Sequence, residues 1–81
     1  MTNYVDISID KVKKVIYELT GKNCYKKSFV NINGNIQDSY RLINTNALIS
    51  FRVNNKGVVA MVSYRNKLYL PSEFVKQFAL D

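Results

Sequence analysis

An 81-residue chain with twelve lysines and arginines against six acids, net charge +6, has apolar surface for one core and therefore for one domain, residues 1–81. Histidine is absent, which removes the commonest general base and metal ligand. Cys24 stands alone, which leaves neither an intrachain disulfide nor a thiolate metal cluster.

The only glycines are Gly21, Gly34 and Gly57, so no glycine-rich phosphate loop exists. Together these features argue against an enzyme: no catalytic residue, no metal and no cofactor is expected. Asp6, Asp10, Glu18, Asp38, Glu73 and Asp81 are poorly matched for a carboxylate pair. An apolar fraction of 47% with clear periodicity predicts folding rather than disorder. The opening MTNYVDISID lacks a basic lead, and the longest apolar run, Val58 to Val62, falls far short of the roughly 20 residues that cross a bilayer. The expectation is a soluble cytoplasmic protein without a membrane partner. Its small core leaves modest stability, for which a homodimer is a natural remedy.

Residues 8 to 20, SIDKVKKVIYELT, place Ile9, Val12, Val15, Ile16 and Leu19 on one arc of a helix, with lysines and acids on the rest. Ser8 is suited to cap the first turn, Ile7 and Val12 to staple it, and Gly21 to stop the helix in a left-handed conformation. An alternative makes YVDISI a strand and starts the helix at Asp10.

From Cys24 to Pro71 the period changes to two, with turn signals at NGN (33 to 35), NTN (44 to 46), NNKG (54 to 57) and RNK (65 to 67). This predicts an antiparallel meander of four to five strands. Setting Val53 opposite Val58 puts Ala47, Ile49, Phe51 and Val53 on one face with Val58, Ala60, Val62 and Tyr64. A two-residue loop at Thr45 and Asn46 sets Tyr40 and Leu42 opposite Phe51 and Ile49, and a three-residue loop at RNK sets Leu68 and Leu70 against Tyr64 and Val62. The stretch CYKKSFVNI has no cleanly apolar face and no readable register; it fits an edge strand whose Lys26 and Lys27 discourage pairing with another chain. Cys24 reads as a small buried filler.

PSEFVKQFALD predicts a short final helix, capped by Ser72 after Pro71, with Glu73 in its first turn and Phe74, Val75 and Phe78 on one side. The expected fold is therefore α+β, with both helices on one sheet face; a small five-stranded barrel is the alternative. The order of elements is similar to that of double-stranded-RNA-binding domains. Their second helix offers a basic start to phosphate, however, whereas this one begins with Glu73 and holds one lysine, so the resemblance is not carried over.

Charge is unevenly divided. Residues 1 to 20 sum to zero and residues 72 to 81 to minus one. The segment between carries Lys22, Lys26, Lys27, Arg41, Arg52, Lys56, Arg65 and Lys67 against Asp38 alone, eight less one, or plus seven. In the registers above Arg41, Ser50, Arg52, Ser63, Arg65 and Tyr69 point away from the apolar face with Ile43, Leu48, Val59 and Met61.

This pattern implies a nucleic-acid-binding module, for DNA or RNA. Arg41, Arg52 and Arg65 would grip backbone phosphates, Lys56 and Lys67 flank them at hairpin tips, and Tyr69 offers a stacking surface. The alternative is a protein-binding inhibitor or accessory factor, of a size seen in phages and mobile elements, that docks Leu48, Val59, Met61 and the arginines on an acidic partner.

Overall fold

The computed structural model describes residues 6–79. Its elements are α1 (Ile9–Thr20), β1 (Tyr25–Ile32), β2 (Asn35–Leu42), β3 (Ile49–Val53), β4 (Val59–Tyr64), β5 (Lys67–Tyr69) and α2 (Pro71–Phe78). The strands form one antiparallel sheet in chain order, with β1 and β5 as free edges, so the sheet does not close into a barrel. The fold is α+β. Among the described residues no helix is long and apolar enough to cross a membrane. Tyr4 and Val5 of the alternative first strand, and Asp81 of the charge tally, lie outside the described residues; Ser8 makes only an isolated bridge to Val58.

Helix α1 starts and stops where its sequence says. The Ser8 hydroxyl accepts from Lys11 N–H at 3.2 Å, satisfying one orphan donor of the first turn. Gly21 adopts φ +71° and donates its N–H to the Tyr17 carbonyl at 2.7 Å. Val12, Val15 and Ile16 are fully buried along its inner face. Helix α2 departs from expectation at its start: Pro71 occupies the first turn and Leu70 is the cap residue, without a side-chain hydrogen bond, so Ser72 is not the cap. Proline suits that place because its missing N–H would have no helical partner there.

Both helices cover the same sheet face. The core joins Val12, Val15, Ile16 and Phe74 to Leu42, Ile49, Phe51, Val53, Val59 and Val62, and the sheet residues among these share one side of the pleat. Phe51 lies at the centre, stacked on Tyr40 at 5.1 Å and edge-on to Tyr25 at 5.7 Å. Tyr64, Tyr69, Phe74 and Phe78 form a second aromatic group between β4, β5 and α2, with ring centroids 5.2–6.3 Å apart. Cys24 is exposed, contrary to the filler reading: it precedes β1, outside the helices' cover, and its carbonyl accepts from Ile43 N–H at 2.9 Å.

The central hairpin has a different register from the expected one. Its loop closes on Asn54 and Val58, with Gly57 at φ +78°, and Val53 then faces Val59. Between Val59 and Met61 the ladder slips by one residue, because Arg52 pairs with Met61 and Ala60 is left over as a bulge. The bulge reverses parity once. That is why Val59 is buried at 0% exposure while Val62 and Tyr64 still face the helices.

Replacing Phe51 with Ala is expected to cost about 3–5 kcal/mol in urea unfolding, since its ring is 1% exposed and leaves a cavity in the core. Tyr25 gives a second test. Its hydroxyl is buried with no hydrogen-bond partner among the described residues, and burial pushes its pKa up from 10.0 to about 12. A raised value means that the fold favours the neutral phenol, so this stabilisation is whole below pH 10 and is lost between pH 10 and about 12. Tyr25→Phe should remove that alkaline loss and leave stability at neutral pH unchanged or higher.

Candidate nucleic-acid interface

The uncovered sheet face is built from residues that alternate with the core. Reading across the strands, one row runs Lys26, Arg41, Ser50, Ser63, Leu68, and the next runs Ser28, Ser39, Arg52, Met61. Three cations, four hydroxyls and two apolar side chains thus stand in a grid, with neighbouring strands about 4.8 Å apart. One shallow depression is lined by Lys26, Ser28, Ser39, Arg41 and Ser50, and a second by Ser39, Ser50, Arg52, Met61, Ser63 and Leu68 with Phe51 of the strand beneath.

Among the described residues no carboxylate stands on this face. Asp38, the one acid of the meander, lies opposite Val53 and so on the helix side, where its carboxylate takes Lys27 Nζ at 3.5 Å. That is the only ion pair among the described residues, none of which brings a carboxylate within 4.0 Å of Lys26, Arg41 or Arg52. Arg41 and Lys26 are exposed and Arg52 is half-buried. Like charges directly opposite each other, as Lys26 and Arg41 are, disfavour the sheet by a few tenths of a kcal/mol or so.

At the end of the face where β2 turns into β3, a cleft of about 450 Å³ opens beside Arg41, Ser50 and Ser63 and is closed by Asn44, Leu48 and Asn66. Leu48 is 63% exposed at its lip. Asn44 holds φ +62° and Asn66 φ +65°, conformations that asparagine tolerates better than most residues.

The structure keeps Arg41, Arg52, Leu48 and Met61 on one side, as the alternation predicts, and moves four residues away. Arg65 and Asn66 form a two-residue turn, both with positive φ, in place of the expected three-residue loop. The shift of one residue turns β5 over: Tyr69 faces Val62 and packs on Phe74 and Phe78, whereas Leu68 emerges 66% exposed on the open face. Tyr69 is therefore not an open-face stacking surface. Lys67 follows it to the helix side, its ammonium 5.4 Å from the Tyr69 ring, and Arg65 sits at the turn with its guanidinium 5.4 Å from the Tyr64 ring. Val59 is core, for the bulge described above. Lys56 remains exposed at the tip of the β3–β4 turn.

The sequence reading does not name Lys26 and Ser28 as site residues because it leaves the register of β1 open, nor Ser39, although the β2–β3 register already sets Ser39 opposite Arg52 on this face. The signal existed in Asn33-Gly34: both residues take positive φ, +52° and +85°, as a two-residue hairpin requires, and that turn sets Lys26 opposite Arg41. No family model, no curated protein and no solved structure matches this chain.

The register of β5 decides which aromatic reaches the open face, and substitution reads it directly. Tyr69→Ala should lower stability by about 2–3 kcal/mol, and Leu68→Ala by no more than about 0.5 kcal/mol. Equal losses would contradict the two-residue turn.

Proposed function

We propose that this protein binds nucleic acid by its phosphate backbone, with Lys26, Arg41 and Arg52 as the phosphate-facing cations and Ser28, Ser39, Ser50 and Ser63 as hydroxyl donors beside them. The observation that carries this reading is the sign of the face: among the described residues it holds three cations without an ion-pair partner and no carboxylate, while Asp38 sits on the other side. Arginine grips phosphate with paired hydrogen bonds, and a pleated surface of fixed side-chain spacing holds the two guanidinium groups without loop ordering on binding. Lys56 adds screened attraction from the turn. Among the described residues the face bears no aromatic ring, so bases are not stacked and sequence is not read; the contacts are to backbone.

Binding of duplex and single-stranded DNA and RNA, followed by anisotropy across a salt series, tests this. Three phosphate contacts predict a slope of log affinity against log salt of about −2 to −3. Arg52→Gln or Arg41→Gln should reduce its magnitude by about 1, while Arg65→Gln should leave it nearly unchanged. Absence of binding, or an affinity indifferent to salt, overturns the proposal.

A second reading, docking on an acidic protein, is favoured by Leu48 and Leu68, which are 63% and 66% exposed, with the half-buried Met61 beside Leu68. The two readings separate on neutral substitutions. Leu48→Ser with Leu68→Ser should change nucleic-acid affinity by less than about twofold, because neither touches phosphate, whereas it should abolish capture of a protein partner.

A further inference from the structure

The outer edge of β1, unpaired among the described residues, is eight residues long against three for β5, and it carries Phe29 at 72% exposure. Phe29 and its diagonal neighbour Ile36, 63% exposed, lie on the helix side of the β1–β2 hairpin beyond the residues that the helices bury. An exposed edge with an apolar side chain at its middle is a template for another strand.

The phase of the ladder says which groups are offered. Ile43 N–H donates to the Cys24 carbonyl, so the even-numbered residues of β1 spend their N–H and C=O groups on β2. Tyr25, Lys27, Phe29 and Asn31 then point theirs outward. A second copy added antiparallel must bring these odd residues against one another, which leaves few registers. Pairing centred on Lys27 sets lysine on lysine. Pairing Lys27 with Phe29 keeps the two Lys27 side chains two residues apart, roughly 7 Å, which is inside the Debye length of about 8 Å at physiological salt.

Pairing centred on Phe29 is different. It sets Lys27 opposite Asn31 and Lys26 opposite Ile32, so the two Lys27 are roughly 14 Å apart and the two Lys26 roughly 20 Å apart. Lys27 is also already engaged by Asp38 of its own chain. The same register joins Phe29 to its symmetry mate, with Ile36 of each copy beside the pair. Further displacement only shortens the overlap.

We propose that two copies of this chain associate through β1 in this register, on a two-fold axis at Phe29, to give one ten-stranded sheet. The lysines of the edge do not forbid pairing; they select the register. The axis stands perpendicular to the sheet, so both helix layers lie on one side and both uncovered faces on the other. This inference rests on the edge alone and does not depend on what the open face binds.

Sedimentation equilibrium of the full chain from micromolar to millimolar concentration tests it, without nucleic acid. The expected result is a reversible monomer–dimer equilibrium that Phe29→Lys weakens by at least about tenfold, since it places like charges directly opposite each other. Phe29 is outside the core, so the variant should melt like the parent. In a Cys24→Ser background with oxidised glutathione, the double variant Lys27→Cys with Asn31→Cys should form a covalent dimer, because paired Cα atoms about 5.5 Å apart suit a disulfide, and neither single variant should do so. A monomer at millimolar concentration, a dimer indifferent to Phe29→Lys, or single variants that cross-link as well as the double one would each overturn the proposal.

Discussion

Everything in this molecule follows from a sheet that is dry on one side and wet on the other. Along β3 the order Ile49, Ser50, Phe51, Arg52, Val53 alternates without a break, and its odd members are buried at 1–4% exposure beneath the helices. A slip of one residue would drive Arg52 and Ser50 into that core and expose Phe51, losing roughly 2–3 kcal/mol of transfer energy for the ring alone before any charge is desolvated. Segregation of charge is a consequence of this constraint. Once Val53 must be inside, Asp38 opposite it is on the helix side, and Arg52 and Arg41 are on the other.

Turn geometry transmits the constraint from strand to strand. Two hairpins close with two positive-φ residues, Asn33-Gly34 and Arg65-Asn66, and preserve alternation directly. The β3–β4 turn has one residue more, and the bulge at Ala60 returns Val62 and Tyr64 to the core. The cationic grid is thus as well defined as the core behind it. Its like-charged neighbours are held together by packing, not by one another, so a bound polyanion would relieve repulsion that the free protein carries.

Much of this was legible in the sequence, and the rest was hidden for identifiable reasons. Ser8, Gly21 and the apolar arc between them gave α1 to the residue, because capping is local chemistry. Period two gave β2 and β3 with their mutual register, and with them Arg41 and Arg52. The two-residue β4–β5 turn is not legible because positive φ at Arg65 has no signature in a residue without special tolerance for it, and that one residue shifts Lys67, Leu68 and Tyr69 together. The bulge that buries Val59 is likewise invisible in a run of five apolar residues. Strand β1 resisted reading because its helix side is covered only near Tyr25, so Phe29 and Lys27 share a face that is neither wholly inside nor wholly outside.

The central claim is that affinity for a polyanion depends on which side of the sheet each charge occupies, and one exchange isolates it. Asp38→Ser combined with Ser39→Asp keeps composition and net charge, gives up one exposed ion pair worth about 0–1 kcal/mol, and moves a carboxylate from the helix side to a place beside Arg52 and Ser28. Anisotropy with duplex DNA at low salt should show at least about a tenfold loss of affinity for the exchanged protein. Equal affinity in the two proteins would mean that net charge alone attracts the ligand, and the open face would have no special part in binding.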